Sequence, residues 1–366
     1  MPLPAPDGPT PPDGGEKHRR RPRYPGTHPR SFGEKYKELA PERYPGIEAH
    51  VRARGATPAG QHVPILVEEI LTVLDPRPGE RGVDATLGYG GHARRILERL
   101  APGGRLLALD ADGTELEKTR TRLGALGFGD EVLTARRTNF AALGEVLAEL
   151  GWADGVDFLL ADLGVSSMQI DDPARGFTFK HDGPLDMRMN VRRGISAAEF
   201  LARASEADLE RTLRENSDEP RAARLSNLLL RRRGTIASTL DLARAVREAL
   251  EGLQDEDEVE RAVRRVFQAL RIAVNDEFGV LDRLLAQIPA ALRPGGRVAI
   301  LTFHSGEDRR VKHAFGRGLA AGWFSATSDG VVRPSPAEQR ENPRSGPAKL
   351  RWAVRGTVSW NVEGLS

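Results

Sequence analysis

Two short apolar runs, Arg105 to Asp110 and Val156 to Asp162, each end in an acid and each lie between stretches of helical period. No other feature limits the fold as much. Strands this apolar belong in a buried parallel sheet, because crossover helices then cover both of its faces. The surrounding chain fits this pattern. Gly82-Val83-Asp84-Ala85-Thr86 reads as a first strand and Ala93 to Leu100 as a helix, while helices over Gly113 to Leu123 and Phe140 to Leu150 flank a strand around Val132-Leu133. Repeated βα units predict an α/β fold built on a doubly wound, Rossmann-like sheet.

After the fourth strand the alternation lapses for about a hundred residues, far beyond an ordinary loop. Asp171 to Asn190 is polar and contains Gly and Pro. Beyond it Ser196 and Glu199 make a capping box, Leu209 and Leu213 repeat at i, i+4, and helices are expected over Leu240 to Leu250 and along Val263, Val266, Phe267, Leu270 and Val274. The expected organisation is a helical substrate-recognition insertion at 171–265 between two parts of one nucleotide-binding domain, 61–170 and 266–366. The turn Arg293-Pro294-Gly295-Gly296 leads back into a strand, Arg297 to Phe303. Leu350 to Val354 and Thr357 to Trp360, separated by Arg355-Gly356, read as an antiparallel hairpin closing the sheet.

Residues 1–60 differ from the rest. They hold 12 of the 25 prolines and 8 glycines, with 11 Lys/Arg against 7 Asp/Glu, and show no period of helix or strand. A disordered, basic leader is expected. It accounts for the whole net charge of +2, since the remaining 306 residues carry 43 basic against 45 acidic side chains. Arginine clusters such as Arg192-Arg193 and Arg231-Arg232-Arg233 fit phosphate contact, but 47 arginines against 7 lysines reduce what any one cluster says. No apolar run approaches the roughly 18 residues of a membrane span, and neither a secretory nor a transit pattern is present, so a cytoplasmic protein is expected. The absence of cysteine excludes disulfides, thiolate metal sites and cysteine nucleophiles, and the eight scattered histidines suggest no metal site.

Between the first strand and its helix lies Gly88-Tyr89-Gly90-Gly91-His92-Ala93, a loose match to the glycine fingerprint that lets backbone approach a ligand at a helix N-terminus. Asp110, about 20 residues on, stands where an acid takes both hydroxyls of an adenosine ribose. A dinucleotide and S-adenosylmethionine both satisfy this pair. The antiparallel ending of the sheet and the insertion after the fourth strand favour S-adenosylmethionine. Asp162, at the end of the fourth strand, is positioned to accept a hydrogen bond from an exocyclic amine, with a helix cap or buried ion pair as the alternative.

A longer set of motifs is more specific. Asp162-Leu163-Gly164-Val165-Ser166-Ser167, then Gln169, Asp171-Asp172-Pro173-Ala174-Arg175-Gly176-Phe177-Thr178-Phe179 and Asp182-Gly183-Pro184-Leu185-Asp186-Met187-Arg188-Met189 are followed by Val266-Phe267-Gln268-Ala269-Leu270-Arg271-Ile272, Val274-Asn275, Phe303-His304-Ser305, Glu307-Asp308-Arg309 and Glu341-Asn342-Pro343-Arg344-Ser345. In this order they resemble the RsmH (MraW) family of 16S rRNA cytosine-N4 methyltransferases, from His62 to about Trp352, with the leader outside the likeness. The resemblance implies a class I methyltransferase sheet and methyl transfer from S-adenosylmethionine to N4 of the cytidine at position 1402 in the decoding region. The implied partner is 16S rRNA within the small (30S) ribosomal subunit. A homodimer is compatible with the sequence, which does not dictate one.

Carried over by motif, the implied cofactor contacts are Gly90, Gly91, His92, Asp110, Phe140, Asp162 and Gln169. Leu87, Tyr89 and Gly306 depart from the residues common at their positions. Asp162 is the first candidate for the group that accepts the amine. Asp186 and Arg188, with His304 and Ser305, are second candidates for facing the base or its phosphate, and an internal Asp186–Arg188 ion pair is the competing reading. A non-catalytic factor that keeps the cofactor pocket would carry the same binding residues.

Overall fold

The structure, a computed structural model, describes residues 64–165, 169–170, 172–252 and 255–358. The leader 1–60, with Ser166, Ser167 and Asp171 of the motif set, lies outside the described residues. Strands β1 (Arg81–Asp84), β2 (Arg105–Asp110), β3 (Leu133–Arg137), β4 (Val156–Asp162), β5 (Leu292–Thr302), β6 (Phe324–Thr327) and β7 (Lys349–Arg355) form one sheet in the order β3-β2-β1-β4-β5-β7-β6. The first five are parallel to one another, and β7 runs antiparallel to both β5 and β6.

The sheet is covered on both faces. One core gathers Val83, Leu107, Leu159 and Ile300 with Leu284 and Ile288, and the other gathers Leu106, Phe158, Leu160 and Leu301 with Ile70, Ile96 and Leu97. Their alternation along each strand is what the pleat imposes. Gly82 is required here, because a Cβ on it would lie 2.0 Å from the Phe158 ring.

Among the described residues the expected terminal hairpin is not formed. β7 takes the place of its first strand but pairs with β5, Leu301 opposite Leu350, and with β6, Phe324 opposite Arg355. Thr357 and Val358 leave the sheet, and Ser359 and Trp360 lie outside the described residues. Arg355 and Gly356 are not a hairpin turn: the Arg355 guanidinium donates to the carbonyls of Pro289 and Trp323, and Gly356 N donates to Trp323 O at 2.8 Å. The true partner, β6, is four residues long and contains Ser325 and Thr327, too short and polar to stand out in the sequence.

Between β4 and β5 lie the helices Ala197–Arg203, Glu206–Ser217, Ala222–Arg232, Thr239–Ala249, Glu256–Asn275 and Glu277–Ala291. Ser196 and Glu199 form the reciprocal capping box read from the sequence. The first five of these helices share a separate core in which Leu209, Leu213, Leu225, Leu229, Leu242, Val263, Val266 and Leu270 are fully enclosed, each contributing about 1.5–3 kcal/mol by leaving water. The boundary expected at 265/266 falls inside Glu256–Asn275, which runs through it with buried residues of the insertion core on both sides. Among the described residues no helix is long and apolar enough to cross a membrane.

Candidate active site

The strand order reverses between β1 and β4, so a crevice must open at their carboxyl ends. A cavity of about 770 Å³ lies there, within the roughly 300–1,000 Å³ of ordinary small-molecule sites. Three strands end in acids beside it, of which Asp110 and Asp162 line it and Asp84 lies buried behind. Asp84 closes β1, Asp110 closes β2 and Asp162 closes β4.

The three carboxyls have different surroundings. Asp84 is buried, accepts from Thr86 N at 3.0 Å, and burial pushes it up to about 6. It props the loop: Thr86 Oγ1 in turn accepts from Asp162 N at 2.6 Å. Asp110 accepts from Gly88 N and Asp112 N, both at 2.8 Å, one on each oxygen, and burial raises it. A carboxylate has about four acceptor positions, so each oxygen retains one for a ligand hydroxyl. Asp162 is pushed up to about 7, chiefly by burial and further by the negative charge of Glu307.

The glycine loop forms the adjoining wall. Gly90 sits at φ +69° and a Cβ there would meet Thr119 Cγ2 at 2.7 Å, so conformation and space both demand glycine. Gly91 opens the helix Gly91–Leu100, and its amide end lines the cavity, a setting that favours a carboxylate. His92 is buried; its Nε2 lies 2.9 Å from Ile65 O and its Nδ1 lies 3.5 Å from Asp162 Oδ2. A carbonyl can only accept, so Nε2 carries the proton and, in the neutral ring, Nδ1 presents a lone pair to Asp162. Burial lowers the histidine's proton affinity, against the raising effects of the Ile65 carbonyl and Asp84.

Phe140 stands in the 3-10 turn Phe140–Ala142 after β3, where Asn139 caps Ala141 N. It lines the cavity and also packs on the sheet core. Gln169 lines it too, with its amide donating to Asp112 at 3.1 Å. All seven residues expected around the cofactor therefore border one cavity: Gly90, Gly91, His92, Asp110, Phe140, Asp162 and Gln169.

Of the opposite wall the sequence offered only His304 as a site candidate, although Gln268, Arg271, Asn275, Glu307 and Asn342–Arg344 lie in its motif runs. Arg264, Gln268, Arg271 and Asn275, spaced i, i+4, i+7, i+11, form one stripe of the helix Glu256–Asn275 and all face the cavity. Glu277, His304, Glu307 and the segment Asn342–Arg344 complete it. Burial alone would raise Glu307, but the His304 ring at 3.2 Å, the Phe303 amide and Arg271 together hold it below the ordinary carboxylate range.

The second candidates divide. His304 borders the cavity, whereas Ser305 does not; its hydroxyl donates to Asp218 at 3.0 Å. Asp186 and Arg188 are paired with each other through two hydrogen bonds of 2.8 and 2.7 Å and do not line the cavity. The internal ion pair is what the structure shows. It braces a bend in which Met187, fully enclosed, adopts φ +63°, and Asn275 clamps that bend by donating to Met187 O and accepting from Met189 N. Arg175 ties the same loop to the sheet side, pairing with Asp112 at 3.0 Å while donating to Arg188 O and Met189 O.

Residues 59–356 match the family described as the MraW methylase family. The chain is 49% identical to the Ribosomal RNA small subunit methyltransferase H 1 of Agathobacter rectalis, over 93% of this chain and 98% of that one. It is 50% identical to a protein of the same name from Lachnoclostridium phytofermentans, over 92% of this chain and 93% of the other. The Ribosomal RNA small subunit methyltransferase H 2 of Alkaliphilus metalliredigens is 48% identical, over 93% and 98%. Matches of this length correct one expectation. The chain from His62 onward is 305 of 366 residues, so the similarity extends into the leader.

Proposed function

The chain belongs to the MraW methylase family, and from that premise we propose that it methylates N4 of the cytidine at position 1402 of 16S rRNA, using S-adenosylmethionine on the small ribosomal subunit. The supporting observation is that the glycine loop, Asp110 and Phe140 border the same cavity as Asp162. The cavity suits the cofactor on its own chemistry. The cradle at Gly90 leaves no room for a Cβ, the amide end of Gly91–Leu100 attracts a carboxylate, and Asp110 keeps acceptor positions for a ribose.

S-adenosylmethionine supplies, when bound, an electrophilic methyl on a sulfonium. The backbone at Gly90 and Gly91 would hold the methionine carboxylate, Asp110 the ribose hydroxyls, and Phe140 would cover the adenine face and keep water from it. Gln169 and Arg175 fix Asp112 and so the turn that carries Asp110. The protein's main contribution is alignment, because holding reactants in line supplies several kcal/mol of the barrier.

The cytosine amine is a weak nucleophile with its lone pair drawn into the ring. Asp162, ionised, accepts a hydrogen bond from the amine and turns its lone pair toward the methyl. Transfer would exchange the methyl's bond to sulfur for one to nitrogen, leaving a neutral thioether, and the amine would lose a proton that a carboxyl with affinity near pH 7 is suited to take. His92 Nδ1, at 3.5 Å, then accepts the hydrogen bond of the protonated Asp162. Binding residues alone would serve a non-catalytic subunit-binding factor equally well. Labelled methyl transfer to small subunits from a strain lacking this gene, followed by nucleoside mass spectrometry, separates the two. N4-methylcytidine is expected, and its absence would favour the binding factor. Titration with NAD tests the dinucleotide reading, and NAD binding without S-adenosylmethionine binding overturns the proposal.

A further inference from the structure

Four arginines lie on the helix Glu256–Asn275 between its first turn and Arg271, and three of them are committed to carboxylates. Arg261 pairs with Glu258 at 2.8 Å, Arg265 pairs with Glu219 at 2.6 Å and with Glu258, and Arg271 pairs with Glu277 at 2.8 Å through both oxygens. Arg264 differs. It is exposed, borders the cavity, and among the described residues no hydrogen bond or ion pair engages it. The nearest acid along the helix, Glu260, is hydrogen-bonded by Arg247 at 2.7 Å and senses Arg264 only as a charge beyond ion-pair distance. The remaining members of its stripe are bound into the structure. Gln268 donates to Asn216 O, Arg271 is ion-paired, and Asn275 clamps the Met187 bend.

We propose that Arg264 is a positioning residue that takes the phosphate of the target nucleotide at the cavity rim, so that the base enters toward Asp162. This rests on the RNA-methylating reading above. An arginine bound to no protein carboxylate keeps its five donors for a ligand, and a guanidinium matches two phosphate oxygens in one plane. Its place fits a phosphate better than a base. Arg264 is exposed, whereas Gln268, Arg271 and Asn275 further along the stripe are partly buried, so the backbone of an entering nucleotide meets the rim first. An exposed arginine at the rim with no hydrogen bond or ion pair among the described residues also gives a body with 43 basic and 45 acidic side chains a local hold on a polyanion.

The test uses the full chain and small subunits isolated from a strain lacking the gene, at several salt concentrations. Arg264→Ala should raise KM for subunits about tenfold, the usual scale for one charge-assisted contact, and leave kcat and S-adenosylmethionine affinity unchanged. The slope of log affinity against log salt should fall by roughly 0.7–0.9, one phosphate contact. Arg264→Lys should recover most of the slope, and Arg261→Ala should behave as wild type. An Arg264→Ala protein with wild-type KM and slope overturns the proposal, as does a defect confined to kcat or cofactor binding. Subunit affinity measured directly by co-sedimentation reports on Arg264 whether or not methyl is transferred. Wild type that binds but transfers no methyl therefore sinks the reaction reading and not this one.

Discussion

Replacing Asp162 by Asn separates the two properties that the mechanism joins in one carboxyl. Burial and the charge of Glu307 push its affinity for a proton up to about 7 from the ordinary 3.8. At about 1.36 kcal/mol per tenfold in proton affinity, the ionised carboxyl destabilises the fold above pH 7 by at most about 4 kcal/mol. The side chain is 24% exposed, so solvent relieves part of this, and about 2 kcal/mol is the expected figure. The sign follows from which state holds the proton. Between about pH 4 and pH 7 the folded chain retains a proton that the unfolded chain has released, so wild-type stability falls as pH rises through that window and then levels. Asp162→Asn lacks this slope. Urea unfolding of the two proteins at pH 4, 6 and 8, without ligand, should therefore show the variant gaining up to about 2 kcal/mol on wild type by pH 8. In methyl transfer the same variant should lose at least about a hundredfold in kcat, the lower range for an acid–base group, with S-adenosylmethionine affinity within a few-fold. Full turnover at wild-type affinity would refute the assignment of Asp162 as the acceptor. A stability difference that does not change with pH would refute the buried, proton-holding carboxyl.

Three other outcomes follow from the same geometry. Because ionised Asp162 is the reactive form, kcat/KM should rise with pH through about 7; Glu307→Gln removes the charge that raises it, so initial-rate profiles should show that limb displaced to lower pH. Gly90→Ala forces a side chain into φ +69° and against Thr119 Cγ2 at 2.7 Å, and should cost about 1–3 kcal/mol in thermal unfolding together with most cofactor affinity by calorimetry. Arg188→Met breaks a half-buried pair that braces the Met187 bend, so it should lower stability by about 1 kcal/mol and leave cofactor affinity intact; a selective loss of chemistry with unchanged stability would restore Arg188 to the site.

What could be read from the chain, and what could not, divides along a physical line. β2 and β4 were legible to the residue because a buried parallel strand must be apolar throughout and its end is marked by the acid that meets solvent or ligand. Asp84 does the same for β1, but the run to Thr86 looked continuous, and the strand's early end depends on Asp84 capping Thr86 N inside the loop. β6 left no signal because its four residues gain their place from β7, far along the chain. The candidate site shows the same division. The glycine loop and the strand-end acids are local features, fixed by neighbours in sequence. The stripe from Arg264 to Asn275 is legible as one helix face, yet nothing local distinguishes Arg264 from Arg265. That distinction is made by Glu219, a carboxylate 46 residues away that with Glu258 neutralises Arg265, while its neighbour Arg264 faces the cavity. In a chain with 47 arginines, Arg264 stands out because it borders the cavity and no carboxylate hydrogen-bonds or ion-pairs with it among the described residues, a property of tertiary packing that residue counts do not contain.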